Sequence, residues 1–367
     1  MKKSRCIIAA AGSGKTSFIT HKALEASSDK QVLITTFTRE NENEIRKKII
    51  QKCKTIPGNI KIQTWWKFLL QHGVRPYHNT LIDKHIKGLL LVQQASGVKT
   101  IYQGRPIYWE QSNVEKYYFS NDYKIYSDKI ALFVIKCNEA TNGAVFNRLS
   151  NIFDYIYIDE TQDFAGYDLE ILHAIIQEIE TVLVGDPRQV TYHTHYSKKN
   201  TKYLDGKIEQ FITDRCSKSC EIDNSSLKDS YRCHQLICNY SNTLFPDLPQ
   251  SNSLSKTNTD HDGVFFISSE SVNAYINKFK PVQLRYDRRT KVNENYPVYN
   301  FGESKGLTFY RTLIYPTGPI KKYIKGKSII PSSSLCKYYV ALTRAQQSVA
   351  IVFDDIFTHE HISPYNF

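Results

Sequence analysis

The stretch "AAAGSGKT", residues 9 to 16, lies between a short apolar run and a segment of helical spacing. It departs from the pattern G-x-x-x-x-G-K-[ST] only at its first position, where Ala9 stands. Glycines in such a loop let backbone N–H groups approach phosphate oxygens at the N-terminus of a helix. Strand, loop and helix together therefore predict a phosphate-binding loop in an α/β protein.

The same loop supplies the residues expected to hold a nucleotide. Lys15 would reach the β and γ phosphates, and the hydroxyl of Thr16 would bind Mg²⁺. The sequence therefore predicts ATP and Mg²⁺ as cofactors, with Lys15 and Thr16 also acting in catalysis. The predicted cofactor-binding residues of the loop are Ala11, Gly12, Ser13, Gly14, Lys15, Thr16 and Ser17.

A second stretch, "IYIDETQDF" at residues 156 to 164, places three β-forming residues directly before a group of carboxylates. This order is typical of a buried strand that delivers acidic side chains to the carboxyl edge of a parallel sheet. In an enzyme with a phosphate loop, such a strand brings an aspartate to the Mg²⁺, and a neighbouring acid acts on the attacking water. Asp159 is therefore the predicted metal ligand and Glu160 the predicted base. A solvated acidic turn is the alternative, but it explains neither the apolar strand nor the loop upstream.

Short apolar runs alternate with longer helical patterns along most of the chain, which is typical of parallel βαβ units. The ten predicted strands are 6–10, 31–36, 60–63, 155–159, 181–185, 264–268, 282–286, 297–301, 312–315 and 348–353. Residues 71–150 fit neither period and are predicted to form an inserted, partly helical subdomain. The predicted fold class is therefore α/β, with a first lobe of residues 1–70 and 151–212 and a second lobe of residues 213–367.

Composition limits the possible partners. The chain has 367 residues, and its 48 Lys and Arg against 36 Asp and Glu give a net charge of +12. This charge favours polyanions, nucleic acid in particular; a merely solubilising surface is the alternative. No apolar stretch is long enough to span a membrane, and the first apolar run is too short for a signal peptide. Eight scattered cysteines are then expected to be reduced thiols, so we expect a cytoplasmic protein with no membrane partner.

Six further segments accompany the two stretches already quoted. They are "ITTFTRENENEIRKKI" (34–49), "IQTWWKFL" (62–69), "VLVGDPRQVTY" (182–192), "LKDSYRCHQLICNYSN" (227–242), "FGESKGLTF" (301–309) and "YVALTRA" (339–345). With the first two, they resemble motifs I, Ia, Ib, II, III, IV, V and VI of the superfamily 1A helicases of the UvrD, Rep and PcrA type, over nearly the whole chain. The resemblance implies two RecA-like P-loop NTPase lobes, ATP hydrolysis in the cleft between them, and movement along single-stranded DNA from 3′ to 5′.

The resemblance also implies roles for four residues outside motifs I and II. Gln189 matches the motif III glutamine that senses the γ-phosphate. Tyr231 matches the motif IV aromatic residue that stacks on adenine. Arg232 and Arg344 match the two arginines, from motifs IV and VI, that neutralise charge on the phosphoryl group being transferred.

The family binds single strands along motifs Ia, Ib, III and V. The residues at matching positions are Phe37, Thr38, Arg39, Thr64, Trp65, Tyr192 and Gly306. Aromatic rings beside basic groups suit the stacking of single-stranded bases. For Phe37 and Trp65, packing in the core is an equally good alternative.

The chain departs from the family between motifs IV and V, where only residues 243–300 intervene. The large subdomain that the family inserts there is therefore expected to be missing. Two functions remain: an ATP-driven single-strand translocase or helicase, and a nucleic-acid-triggered ATPase switch that signals to a partner, such as a nuclease in phage defence, without processive unwinding. A P-loop kinase is disfavoured, because it has no need of a second lobe with two spaced arginines.

Overall fold

The computed structural model describes residues 3–191 and 199–365. These residues form two compact units, and the chain contributes several separate segments to each of them. Unit 1 contains residues 3–7, 16–185 and 199–223, whereas unit 2 contains residues 8–15, 186–191 and 224–365. The phosphate loop therefore belongs to unit 2, although the strand before it and the helix after it lie largely in unit 1.

Sixteen strands and twelve α-helices occur in the described residues. The strands are β1 (Ser4–Ile8), β2 (Val32–Thr36), β3 (Ile60–Thr64), β4 (Gly88–Leu90), β5 (Val98–Tyr102), β6 (Arg105–Tyr108), β7 (Lys124–Tyr126), β8 (Tyr155–Asp159), β9 (Glu180–Gly185), β10 (Cys220–Asp223), β11 (Gly263–Ile267), β12 (Val282–Arg285), β13 (Val298–Asn300), β14 (Phe309–Tyr315), β15 (Ala345–Val352) and β16 (Ser363–Pro364). The helices are α1 (Lys15–Glu25), α2 (Arg39–Cys53), α3 (Trp65–Phe68), α4 (Val114–Tyr118), α5 (Ile130–Ala140), α6 (Ala144–Ile152), α7 (Tyr167–Glu178), α8 (Ile208–Arg215), α9 (Gln235–Thr243), α10 (Val272–Phe279), α11 (Gly318–Ile324) and α12 (Ser332–Leu342).

The main sheet of unit 1 has six strands in the order β10-β1-β9-β8-β2-β3. The pairs β1/β10, β2/β3, β2/β8 and β8/β9 are all parallel. Every residue of β2 is buried, as expected for a strand covered on both faces of a parallel sheet. Because the strands run in the same direction, the loops that follow β8 and β9 leave the sheet at the same edge.

The sheet of unit 2 also has six strands, in the order β13-β12-β14-β15-β11-β16. Its pairings are parallel, and β14 and β15 lie at its centre. A core of buried side chains from α9, α12 and these strands stabilises the unit. Between α9 and residue 301, all helices and strands (β11, α10, β12 and β13) either belong to this sheet or connect its strands.

Residues 71–150 form a partly helical region of unit 1 that also contains four strands absent from the sequence prediction. Strands β4 and β7 pair in parallel, and β5 and β6 form an antiparallel hairpin. Helix α5 packs into the unit with most of its residues buried. Both hairpin strands are exposed along their whole length.

The predicted fold class is confirmed, because the chain is α/β with two parallel six-stranded sheets. Each of the ten predicted strands is present, with ends that differ by at most three residues. Within residues 3–191 and 199–365, none of the helices combines the length and the apolar character needed to cross a membrane.

Candidate functional site

In unit 1, the first turn of α1 meets the end of β8. The hydroxyl of Thr16 donates a hydrogen bond to Oδ2 of Asp159 at 3.1 Å, and Asp159 is only 1% exposed. A hydroxyl and a carboxylate oxygen at this separation form the kind of oxygen pair that Mg²⁺ takes from a protein. The two residues therefore fit the predicted metal. The described residues contain no cluster of three or more His, Cys, Asp or Glu side chains that could hold another.

The residue after Asp159 has an unusual backbone. Glu160 has φ of 59°, in the left-handed region that residues other than glycine adopt only at a cost in free energy. Its N–H donates to Oδ1 of Asp159 at 2.9 Å, and its carboxylate accepts from the side-chain amide of Gln162. The turn leaves Glu160 partly exposed while Asp159 is buried, so the two neighbouring carboxylates occupy different environments.

Gly185, the last residue of β9, makes room for this turn. A Cβ atom at this position would lie 2.5 Å from Oγ1 of Thr161 and 2.7 Å from Oε1 of Gln162. Only a glycine fits here without moving the turn that carries Glu160. Gln162 had no predicted function, although its position two residues after Glu160 in the acidic turn was an available signal.

In unit 2, the phosphate loop packs against the segment before α9. The N–H of Ala10 donates to the carbonyl of Leu227 at 2.8 Å, and the N–H of Tyr231 donates to the carbonyl of Gly12 at 2.9 Å. Gly12 has φ of +73°, and a Cβ atom there would lie 2.5 Å from Cβ of Arg232. The glycine is therefore required both for the loop conformation and for this close approach.

Two side chains of the loop have free capacity for a ligand. Ser13 is 2% exposed, and its hydroxyl has no hydrogen-bond partner among the described residues. A buried hydroxyl without a partner is costly, and a phosphate oxygen would satisfy it. Lys15 is partly exposed, and among the described residues its Nζ reaches only the carbonyl of Ala10, at 3.4 Å. The loop thus fits the nucleotide phosphates that the sequence predicts.

Tyr231 lies beside the loop and is 67% exposed. Its ring carbon Cδ2 is the atom that a Cβ on Gly14 would approach, at 3.9 Å. An exposed aromatic ring is otherwise unfavourable in water, but it can stack on a planar base. Its position next to the loop is compatible with the predicted contact to adenine.

The two predicted arginines both belong to unit 2. Arg232 is partly exposed, and its Nη1 donates to the carbonyl of Thr343 at 3.1 Å. Arg344 is buried; its Nε donates to the carbonyl of Val340 at 3.1 Å and its Nη2 to Oε1 of Gln189 at 3.2 Å. The structure therefore joins the predicted γ-phosphate sensor directly to the motif VI arginine.

The sequence matches two families, each over more than half of the chain. Residues 1–195 match the family described as AAA domain, and residues 144–353 match the viral superfamily 1 RNA helicase core domain. The chain belongs to the superfamily 1 helicases.

Among solved structures, the helicase resembles nonstructural protein 10 of an arterivirus, a helicase that was solved in complex with DNA. The TM-score is 0.50 at 12% sequence identity, and the similarity covers 95% of this chain and 61% of the arterivirus chain. At this identity the similarity concerns the fold, and this helicase spans less than two thirds of that protein. Comparison with curated proteins finds no sequence match.

Two aromatic residues predicted to contact nucleic acid are in the core of unit 1, which corrects that prediction for both. Trp65 is fully buried, and its indole N–H donates to Oδ1 of Asp168 at 2.7 Å. Phe37 is 3% exposed and packs against Phe164, with ring centroids 5.0 Å apart. The core alternative therefore holds for these residues, because neither ring has a face free for a base.

Four of the other predicted nucleic-acid residues occupy accessible positions. Thr38 and Thr64 cap the N-termini of α2 and α3, where their hydroxyls accept from the backbone N–H groups of Asn41 and Lys67. Arg39 and Gly306 are exposed. Tyr192, the remaining prediction, lies outside the described residues.

Trp66 is a residue of unit 1 for which the sequence predicted no function. It is partly exposed, packs edge-on against Phe37 with centroids 6.0 Å apart, and its indole N–H has no partner among the described residues. Trp66 follows Trp65 directly in "IQTWWKFL". The motif therefore indicated an aromatic contact but did not distinguish between the two tryptophans.

Proposed function

We propose that the chain is an ATP-dependent translocase on single-stranded nucleic acid, with DNA as substrate and movement from 3′ to 5′. The observation that carries the proposal is the hydrogen bond of 3.1 Å between Thr16 and Asp159. It brings together the two elements that hold Mg²⁺ in P-loop hydrolases. The partly exposed Glu160 beside this pair supports a base that can reach a water molecule.

In unit 1, each side chain of this set has a distinct task. Thr16 and Asp159 would hold Mg²⁺, which when bound withdraws charge from the phosphate oxygens. Glu160 would accept the proton of the attacking water, and Gln162 would fix the orientation of its carboxylate through the hydrogen bond between them.

In unit 2, the phosphate loop would bind the nucleotide through its backbone N–H groups and the hydroxyl of Ser13, with Lys15 neutralising the β and γ phosphates. Tyr231 would stack on the base. Arg232 and Arg344 would donate to phosphate oxygens as charge develops there, because guanidinium groups match the geometry of a phosphoryl group.

For nucleic acid, the support comes from charge and from two accessible side chains of unit 1. The net charge of +12 favours a polyanion. Arg39 at the start of α2 can contact a phosphate, and Trp66 at the start of α3 offers an indole on which a base can stack. The DNA preference and the direction of movement follow from the resemblance to UvrD, Rep and PcrA alone.

Single strands should stimulate ATP hydrolysis, and the effect should fall steeply with salt, because strand binding releases counterions from the phosphates. The measurement compares ATPase rates without nucleic acid and with single-stranded DNA, RNA and duplex DNA at increasing salt. Trp66→Ala should weaken strand binding by about tenfold, within the usual range for a lost stacking contact. Trp109→Ala, in the region of residues 71–150, is the matched control. Rates that no strand stimulates would exclude a translocase.

A second candidate function is an ATPase switch that signals to a protein partner, such as a nuclease, without processive unwinding. Residues 244–300 favour this function, because their helices and strands either belong to the sheet of unit 2 or connect its strands, and they form no added subdomain that could contact a duplex. All of residues 244–300 belong to the described part of the chain. The switch and the translocase share the ATPase site and differ in what hydrolysis accomplishes.

We expect the chain alone to unwind long duplexes poorly, because residues 244–300 supply no surface for splitting them. Forked and tailed duplexes of increasing length, tested at low salt, measure this. A translocase would still displace a protein block, such as streptavidin, from the end of a single strand, whereas a pure switch would not. Robust unaided unwinding of a long duplex would contradict the prediction.

A further inference from the structure

Arg188 is a buried arginine in the short segment between β9 and the undescribed residues, and no function has yet been assigned to it. It is 2% exposed. Its guanidinium donates in three directions: Nε to Oδ1 of Asp186 at 2.7 Å, Nη2 to the carbonyl of Ala9 at 3.0 Å, and Nη1 to the carbonyl of Pro249 at 3.2 Å. The plane of the group also lies over the ring of Tyr339, 5.2 Å from its centroid.

Burial of an arginine needs a compensating interaction, because a charged group loses its hydration inside a protein. Burial by itself lowers the pKa of Arg188, but the interactions with the carboxylate of Asp186 and with Tyr339 together outweigh burial and raise the pKa above the usual value. The guanidinium of Arg188 therefore stays charged. A lysine could pair with Asp186, but it could not donate to acceptors lying in three directions in one plane.

The pair fixes the next residue of the chain as well. Oδ1 of Asp186 accepts from Arg188, whereas Oδ2 accepts from Nε2 of Gln189 at 2.7 Å. With its amide nitrogen held by the carboxylate, Gln189 presents Oε1 to Nη2 of Arg344 at 3.2 Å. One continuous chain of hydrogen bonds thus runs from Ala9, the first residue of the phosphate loop, to the motif VI arginine.

We propose that Arg188 is a positioning residue for Gln189. Anchored on the carbonyls of Ala9 and Pro249, it holds Asp186 in the orientation that fixes the amide of Gln189. Because its side chain is buried and its donors are directed at protein acceptors, Arg188 would act through Gln189 and not on the nucleotide itself. The inference rests on the proposed function, in which Gln189 contacts the γ-phosphate, and it adds a residue to that site.

The test is a double-mutant comparison in steady-state ATP hydrolysis. Arg188→Met should lower kcat by about 10- to 100-fold, the usual effect of removing a group that orients a functional side chain. The KM for ATP should stay within about threefold, because an interaction made only in the transition state affects kcat. In a Gln189→Ala background, Arg188→Met should cause little further loss, since Gln189 is no longer there to be positioned.

A merely structural role predicts a different pattern. In one case, the melting temperature of Arg188→Met would fall while its kcat per folded molecule stayed normal. In the other, the losses in kcat caused by Arg188→Met and Gln189→Ala would multiply in the double variant. Either result would overturn the proposal. If the Met variant does not fold, Arg188→Lys, alone and with Gln189→Ala, gives the same comparison. The Lys variant should have an intermediate kcat, because it keeps the ion pair and loses a carbonyl contact.

A matched control comes from the same unit. Arg289 pairs with Asp287 at the same two-residue spacing, with Nε to Oδ1 at 3.1 Å, but its side chain is 89% exposed. Arg289→Met should leave kcat unchanged. Wild-type protein that hydrolyses no ATP would contradict the proposed function itself, whereas normal wild-type turnover with multiplicative losses would contradict only the role of Arg188.

Discussion

Lys15→Ala and Glu160→Gln will both lower ATP turnover steeply, but only Lys15→Ala will also lose nucleotide affinity. Lys15 would donate charged hydrogen bonds to phosphate in the ground state, each contributing roughly 1.5–3 kcal/mol, so its loss should weaken ATP binding by about tenfold or more. Glu160 acts on the attacking water, so its amide variant should bind ATP with Mg²⁺ normally while kcat falls by about 10²- to 10⁴-fold.

A titration with a fluorescent ATP analogue, alongside steady-state turnover, separates the two effects. Lys22→Ala and Glu25→Gln are the matched controls. These two side chains lie on the exposed side of α1, the helix that begins at Lys15, with Nζ of Lys22 2.7 Å from Oε2 of Glu25. Both controls should retain wild-type binding and rate. Equal loss of ATP binding in Lys15→Ala and Glu160→Gln would remove Glu160 from the role of base.

Arg232→Ala and Arg344→Ala should each lower the ATPase rate by about 10³-fold or more, the usual scale for an arginine that acts on a transferring phosphoryl group. Their effects on stability should differ. Arg232 is partly exposed, whereas truncating the buried Arg344 would leave the buried Oε1 of Gln189 without this donor. Unsatisfied buried acceptors cost roughly 1–3 kcal/mol each, so Arg344→Ala should melt at a lower temperature.

Rates are therefore compared per folded molecule, with circular dichroism and thermal melting recorded for every variant. Arg344→Lys tests charge without the planar group, and Arg289→Ala provides an exposed arginine in the same unit. Near-normal hydrolysis in either alanine variant, with unchanged circular dichroism, would falsify the assignment of that arginine to the phosphoryl group.

The elements that carry the nucleotide site could be predicted from the sequence, because local patterns determine them. Strand β8 ends at Asp159, as predicted, since three apolar β-formers are followed at once by carboxylates. The glycines of the phosphate loop were recognisable because their left-handed backbone is unfavourable for other residues; Gly12 and Gly14 have φ of 73° and 87°. The roles of Lys15 and Glu160 remain predictions, which the variants above test.

What could not be predicted depends on partners that are distant in the chain. Trp65 and Trp66 are adjacent and chemically identical, and the distinction between them comes from Asp168, which accepts the indole N–H of Trp65. Strand β10 is short and carries two acidic residues, and it forms because β1 offers it a parallel edge. The role of Arg188 could not be predicted, because a basic residue two positions after Asp186 is equally typical of a solvated turn.

The contacts of the phosphate loop also determine when it can form during synthesis. The backbones of Ala10 and Gly12 form hydrogen bonds with those of Leu227 and Tyr231. Strand β1 pairs with β10, with Ser4 opposite Cys220. A growing chain therefore carries its first strand and loop without their partners until residues 220–231 have left the ribosome. Contacts of such long range slow folding and leave an apolar strand exposed for that interval. Chaperone dependence during translation should consequently be concentrated in residues 4–14, which are synthesised long before their partners.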